Sequence, residues 1–213
     1  MTSCLLLTLI LALAAAPAVA DERPAEFSGP QVGEKLTPFA TKVILGKGAG
    51  KEFDLVKTAA GKPVLIVFVH EMNRPTVGLA RLLGLFAATK MEAGLTSGVV
   101  FLTADSTATE DWMKRAQGAL PGGVPVGIST DGQEGPGAYG LNRKVQMTIL
   151  VGKDDKVTAN FALVQPSVQA DAPKIAQAIV DVLGGGQGPT IEELQKLGGP
   201  MGRPAAAPRR ENK

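Results

Sequence analysis

Residues Val64-Leu65-Ile66-Val67-Phe68-Val69 form an unbroken apolar run, introduced by Gly61-Lys62-Pro63 and closed by His70 and Glu71. A run this short, rich in β-branched residues and bounded by turn signals, predicts a strand buried on both faces, which needs a sheet covered on each side. The residues that follow agree with this. Asn73 can cap a helix, Pro75 fits its first turn, and Leu79, Leu82, Leu83 and Phe86 recur at the spacing of one buried helical face. Val99-Val100-Phe101-Leu102 predicts a second buried strand, Thr107 to Gln117 a helix, and Val124 to Ser129 a strand that Pro125 pushes towards a sheet edge or an irregular start. This β-α-β-α-β alternation needs crossover helices and therefore parallel strands.

Upstream, Lys42–Leu45 and Glu52–Leu55 read as short strands around the Gly46-Lys47-Gly48 turn, an N-terminal β extension. Downstream, Thr148–Val151 and Val157–Phe161 are too close together for a crossover, so they predict an antiparallel hairpin. A helix from Asp171 to Leu183 follows, with Ile175, Ile179, Val182 and Leu183 on one face and Gly184-Gly185-Gly186 ending it. The fold class expected is α/β in three layers: a central mixed sheet with helices on both faces. The expected organisation is a lead-in over residues 21–35, one domain over 36–184, and a flexible basic tail over 185–213. That tail is rich in Gly, Pro and Ala and is broken by a short helical pattern at Ile191 to Leu197.

The first twenty residues carry an apolar run from Leu5 to Ala16 interrupted by Thr8, then Pro17 and the small-residue triplet Ala18-Val19-Ala20 before Asp21. This pattern predicts a signal peptide at residues 1–20, cleaved after Ala20, and hence a secreted or periplasmic protein. The run is shorter than the roughly 20 residues that span a bilayer, so no membrane association is expected after cleavage. No Lys or Arg precedes it, which leaves an uncleaved anchor as the alternative. The single cysteine, Cys4, lies inside this segment, so the mature chain would contain none. With one Trp, one Tyr and seven Phe, stacking platforms for nucleic acid are sparse, and much of the small positive excess sits in Arg203, Arg209, Arg210 and Lys213. No nucleic-acid partner is expected.

After the buried strand comes His70-Glu71-Met72-Asn73-Arg74-Pro75-Thr76, and before the hairpin comes Val145-Gln146-Met147-Thr148. With the topology, these stretches resemble the thioredoxin-like superfamily, most nearly its exported thioredoxin-like and peroxiredoxin-like members, over about Gln31 to Leu183. The family's W-C-G-P-C motif follows the same strand, so the resemblance puts Asn73 at the nucleophilic cysteine, Pro75 at the motif proline and Thr76 at the resolving cysteine. It puts Met147 at the family's cis-proline. A thiolate at a helix N-terminus is the family's nucleophile, and neither an amide nor a hydroxyl replaces it. The resemblance therefore implies the fold without a catalytic residue for thiol–disulfide exchange.

Two readings of these residues stay open. Asn73 and Thr76 are a helix cap, or they leave a helix N-terminus free for an anion or a partner carboxylate beside Arg74. His70, the only histidine, is a polar residue ending the central strand, or it joins Met72 and Met147 in a soft donor set for Cu(I). No other cofactor is expected. The expected function is accordingly a redox-inactive binding or scaffold module. Its protein or peptide partner would meet the strand backbone and side chains of a groove beside residues 70–76 and 145–148, with His70, Glu71, Met72, Arg74 and Gln146 as candidate contacts. The alternative is an antioxidant oxidoreductase working through bound Cu(I) or a partner's thiol.

Overall fold

The computed structural model describes residues 26–198. The expected signal peptide with Cys4, and the basic stretch from Arg203 to Lys213, lie outside them. A seven-stranded sheet in the order β2-β1-β5-β4-β3-β6-β7 organises the chain. Inside it, between β4 and β6, lies β3 (Val64–Val69), buried at every position. β4 (Thr96–Phe101) runs parallel to β3, and β5 (Val126–Ser129) runs parallel to β4. On the other side, β6 (Met147–Lys153) pairs antiparallel with β3, and β7 (Lys156–Leu163) completes the hairpin. Asp154 and Asp155 make its turn with φ of 53° and 56°, the left-handed pair that a two-residue hairpin needs.

The two crossovers, β3–α2–β4 and β4–α3–β5, step the same way along the sheet, so a constant right hand puts their helices on one face. There α2 (Arg74–Ala88), α3 (Ser106–Arg115) and α4 (Val168–Val182) pack with Leu65, Val67, Val69, Phe101, Met147 and Ile149. The opposite face is thinner. It gathers Ile66, Phe68, Val100 and Leu150 under α1 (Leu55–Ala59), Leu36, Phe39 and Tyr139. Phe39, Phe68 and Tyr139 meet there with ring centroids 5.3–5.5 Å apart, and the Tyr139 hydroxyl donates to the Thr37 carbonyl at 2.9 Å.

Two expectations are corrected and a third is narrowed. Leu55 is not in a strand: β2 is only Glu52–Phe53, and the Asp54 carboxylate accepts from Lys57 N at 3.0 Å to start α1. Of the two readings of Pro125 the irregular start holds: β5 begins only at Val126, and β1 (Thr41–Leu45) pairs along its free side, so it is not an edge. The tail does not begin at 185. Residues 191–198 form α5 (Ile191–Gly198), whose Leu194 is fully buried in the main core and whose Gly198 carbonyl accepts from Arg81 at 3.1 Å. Residues 26–35 of the lead-in lie along β7, with Gly33 N donating to Val157 O and Val157 N to Glu34 O, an ordered segment outside any regular element.

Candidate functional site

At the C-terminal end of β3, the backbone leaves the sheet through His70 and Glu71, whose N–H groups both donate to the Gln146 carbonyl, at 2.9 and 3.3 Å. α2 starts next. Asn73 is its N-cap: the side-chain Oδ1 accepts from Thr76 N at 3.0 Å, while Thr76 Oγ1 accepts from Asn73 N at 3.0 Å, and Pro75 sits in the first turn. The Asn73 amide also donates to the Gln146 side chain at 3.0 Å, and the buried Thr76 hydroxyl donates to the Glu71 carbonyl at 2.7 Å. This reciprocal cap uses the groups that an anion would need. Thr76 N and Val77 N are both taken within the chain and Pro75 has no N–H, so the capping reading of Asn73 and Thr76 is the one the geometry supports.

Pairing of Val69 with Met147 and of Phe68 with Thr148 makes β6 a continuous strand with a trans peptide at Met147. Alternation then separates the two neighbours. Met147 points into the main core and is fully buried, whereas Thr148 faces the thinner layer, where its Oγ1 lies 2.9 Å from His70 Nε2. Met72 is 44% exposed. The donor set His70, Met72 and Met147 therefore does not assemble, since His70 is tied to the face of the sheet opposite Met147. Among the described residues no cluster of three His, Cys, Asp or Glu side chains offers another metal site.

A groove of about 390 Å³ lies beside this junction, with His70, Glu71, Gln146, Arg143, Lys144 and Gln165 in its lining. Arg143 pairs with Glu134, and Lys144 lies 3.7 Å from Glu26. The groove lacks the free strand backbone that the sequence reading expected. Gln146 N donates to Leu163 O at 2.8 Å and Gln146 O already accepts from His70 and Glu71, because β6 is paired on both sides. Met72 and Arg74 are exposed near the mouth, but neither lines the groove. Arg143, Lys144 and Gln165 escaped the sequence reading, since they lie in irregular segments without a motif.

His70 also reaches a buried partner. Thr148 Oγ1, its hydrogen-bond neighbour, is itself 2.5 Å from Ser28 Oγ. Burial lowers the His70 pKa from the ordinary 6.5 to about 4. The unfolded chain takes up this proton below pH 6.5 and the folded one only near 4, so stability is full above 6.5 and falls as the pH drops through that window. We expect His70→Gln to lose less stability between pH 7 and pH 5 than the parent in denaturant titrations. Equal losses would place the buried imidazole elsewhere.

No family model matches the chain, and no curated protein matches it by sequence. Solved structures do. A candidate thiol:disulfide interchange protein DsbE from Chlorobium tepidum superposes with a TM-score of 0.57 at 21% identity, covering 72% of this chain and 99% of that one. An uncharacterized conserved protein from Geobacillus kaustophilus gives 0.53 at 18% identity, covering 75% and 88%. A hypothetical protein from Sinorhizobium meliloti gives 0.52 at 17% identity, covering 76% and 89%. The chain has the thioredoxin-like fold, and with Cys4 as its single cysteine it has no cysteine pair.

Proposed function

We propose that this protein is an exported binding module of thioredoxin-like fold, without thiol chemistry of its own, that recognises a protein or peptide partner through the side chains of the groove beside His70. One observation carries the reading: the positions that would hold the redox pair, Asn73 and Thr76, are locked into each other as a helix cap. Recognition through side chains rather than strand addition follows from the internal pairing of Gln146. Export rests on the apolar run before Ala20.

Insulin reduction and peroxide consumption, each with added dithiol, should stay at the uncatalysed rate for the mature chain. Turnover above that rate would defeat the proposal. The single histidine makes the binding test direct: a panel of extended peptides of varied charge is titrated while the His70 ring resonances are followed. We expect at least one class to shift them, and Gln165→Ala to weaken that binding about tenfold, roughly 1.4 kcal/mol. A panel that leaves them unmoved argues against this groove.

A further inference from the structure

Residues 26–32 cross the thinner layer of the sheet and are held mainly by polar atoms, with Pro30 the one buried apolar side chain among them. Asn142 donates through Nδ2 to Glu26 Oε2 at 3.0 Å and to Phe27 O at 3.1 Å, and its backbone N donates to Ser28 Oγ at 3.0 Å. From β7, the Asn160 amide donates to Ser28 O at 2.9 Å and to Pro30 O at 2.8 Å. The large apolar side chains do not help hold the segment, since Phe27 is 69% and Val32 65% exposed. Leu36 and Phe39, only a few residues on, are core. Between the two regimes lies Gly33 with φ of 88°, a conformation that costs glycine little.

A segment with few buried apolar groups opens at a lower free energy than the strands beneath it. Here it ends on the site, because Ser28 Oγ touches Thr148 Oγ1, which touches His70 Nε2, and because Glu26 lies against Lys144 of the groove wall. We propose that residues 26–32 form a releasable strap, hinged at Gly33, in which Ser28 positions His70 through Thr148, and whose opening uncovers the His70–Thr148 side of the groove. Opening also frees Lys144 from Glu26, so a ligand that draws Lys144 away favours the open state, and opening in turn favours that ligand. The strap is a property of the chain by itself and does not depend on the partner proposed above.

The test uses the mature chain, amide hydrogen exchange and a titration of the His70 ring. The charged groups near that ring are Glu71 on its own segment, Arg143 and Lys144 in the groove lining, and their partners Glu134 and, on the strap, Glu26; Gln146, Thr148, Ser28 and Gln165 are neutral. In the parent, Asn142 N should exchange about 100-fold faster than the amides of β3. Ser28→Ala should raise that rate further and move the His70 midpoint up from about 4 towards 6.5. Asn160→Ala, which removes the bonds to the Ser28 and Pro30 carbonyls but leaves the Ser28 hydroxyl in place, should shift both readouts the same way. Should Ser28→Ala fail to fold, the parent and Asn160→Ala still decide. Exchange of Asn142 N at the β3 rate in the parent would overturn the strap; faster exchange with an unmoved His70 midpoint would overturn its positioning role.

Discussion

Phe68→Ala should lower the unfolding free energy by about 3–5 kcal/mol, the range for deleting a large aromatic from a closed core. Phe68 has no solvent exposure and lies mid-sheet on β3, with the Phe39 ring 5.4 Å and the Tyr139 ring 5.5 Å away, centre to centre. The layer around it is thin. α1 and irregular segments cover it, so no long helix can slide in to fill the space. The loss also spreads outward, because Tyr139, which packs on Phe68, donates to Thr37 and thereby fastens the chain that enters β1. Chemical denaturation of parent and variant with similar slopes is the measurement. Phe27→Ala, at an exposed ring, should change stability by less than about 0.5 kcal/mol. A loss below about 1 kcal/mol for Phe68→Ala would mean that the thin layer can collapse into the cavity.

How much of this could be read from the sequence depended on how local the cause was. β3 was legible to the residue because its six positions are all apolar and turn signals bound it at both ends. The hairpin was legible from the short gap, and the cap at Asn73 from its place before Pro75. The misreadings came where a distant element decided. Pro125 allows an edge or an irregular start, and nothing near it chooses between them; β1, some eighty residues earlier, decides by pairing along that side. Likewise α5 shows only a short apolar spacing, and its order comes from Leu194 finding the α2–α4 face. The site divides in the same way. His70 and the Asn73–Thr76 pair were within reach, but the Ser28–Thr148 contact spans 120 residues, and no motif signals it. The donor-set alternative for Met147 falls for a different reason: with a continuous trans strand, pleat alternation turns it away from His70, and a residue at a proline's position does not say whether the strand runs through.

Asn73→Cys, made in a Cys4→Ser background, should give a thiol that ionises below about pH 7.5, against about 8.5 for an ordinary cysteine. Asn73 caps a 15-residue helix, and its side-chain oxygen already accepts from Thr76 N at 3.0 Å. A thiolate at this position would accept the same donor and sit at the positive end of the helix dipole, both of which favour the anion. Glu71 opposes this, but its side chain is exposed and screened by water. The pH dependence of reaction with an aromatic disulfide reads the midpoint, and Gln187→Cys in the exposed loop before α5 supplies the ordinary value. Adding Thr76→Cys should let the pair close into a disulfide that dithiol reopens, seen as the reversible loss of two hydrogens by mass spectrometry. The parent, with an amide and a hydroxyl in the same geometry, should show neither behaviour. The comparison isolates chemistry from scaffold: if Asn73→Cys titrates at 8.5 or above, this helix start does not favour a thiolate. A depressed midpoint would show that the electrostatics suited to a thiolate are present around a cap made of an amide and a hydroxyl.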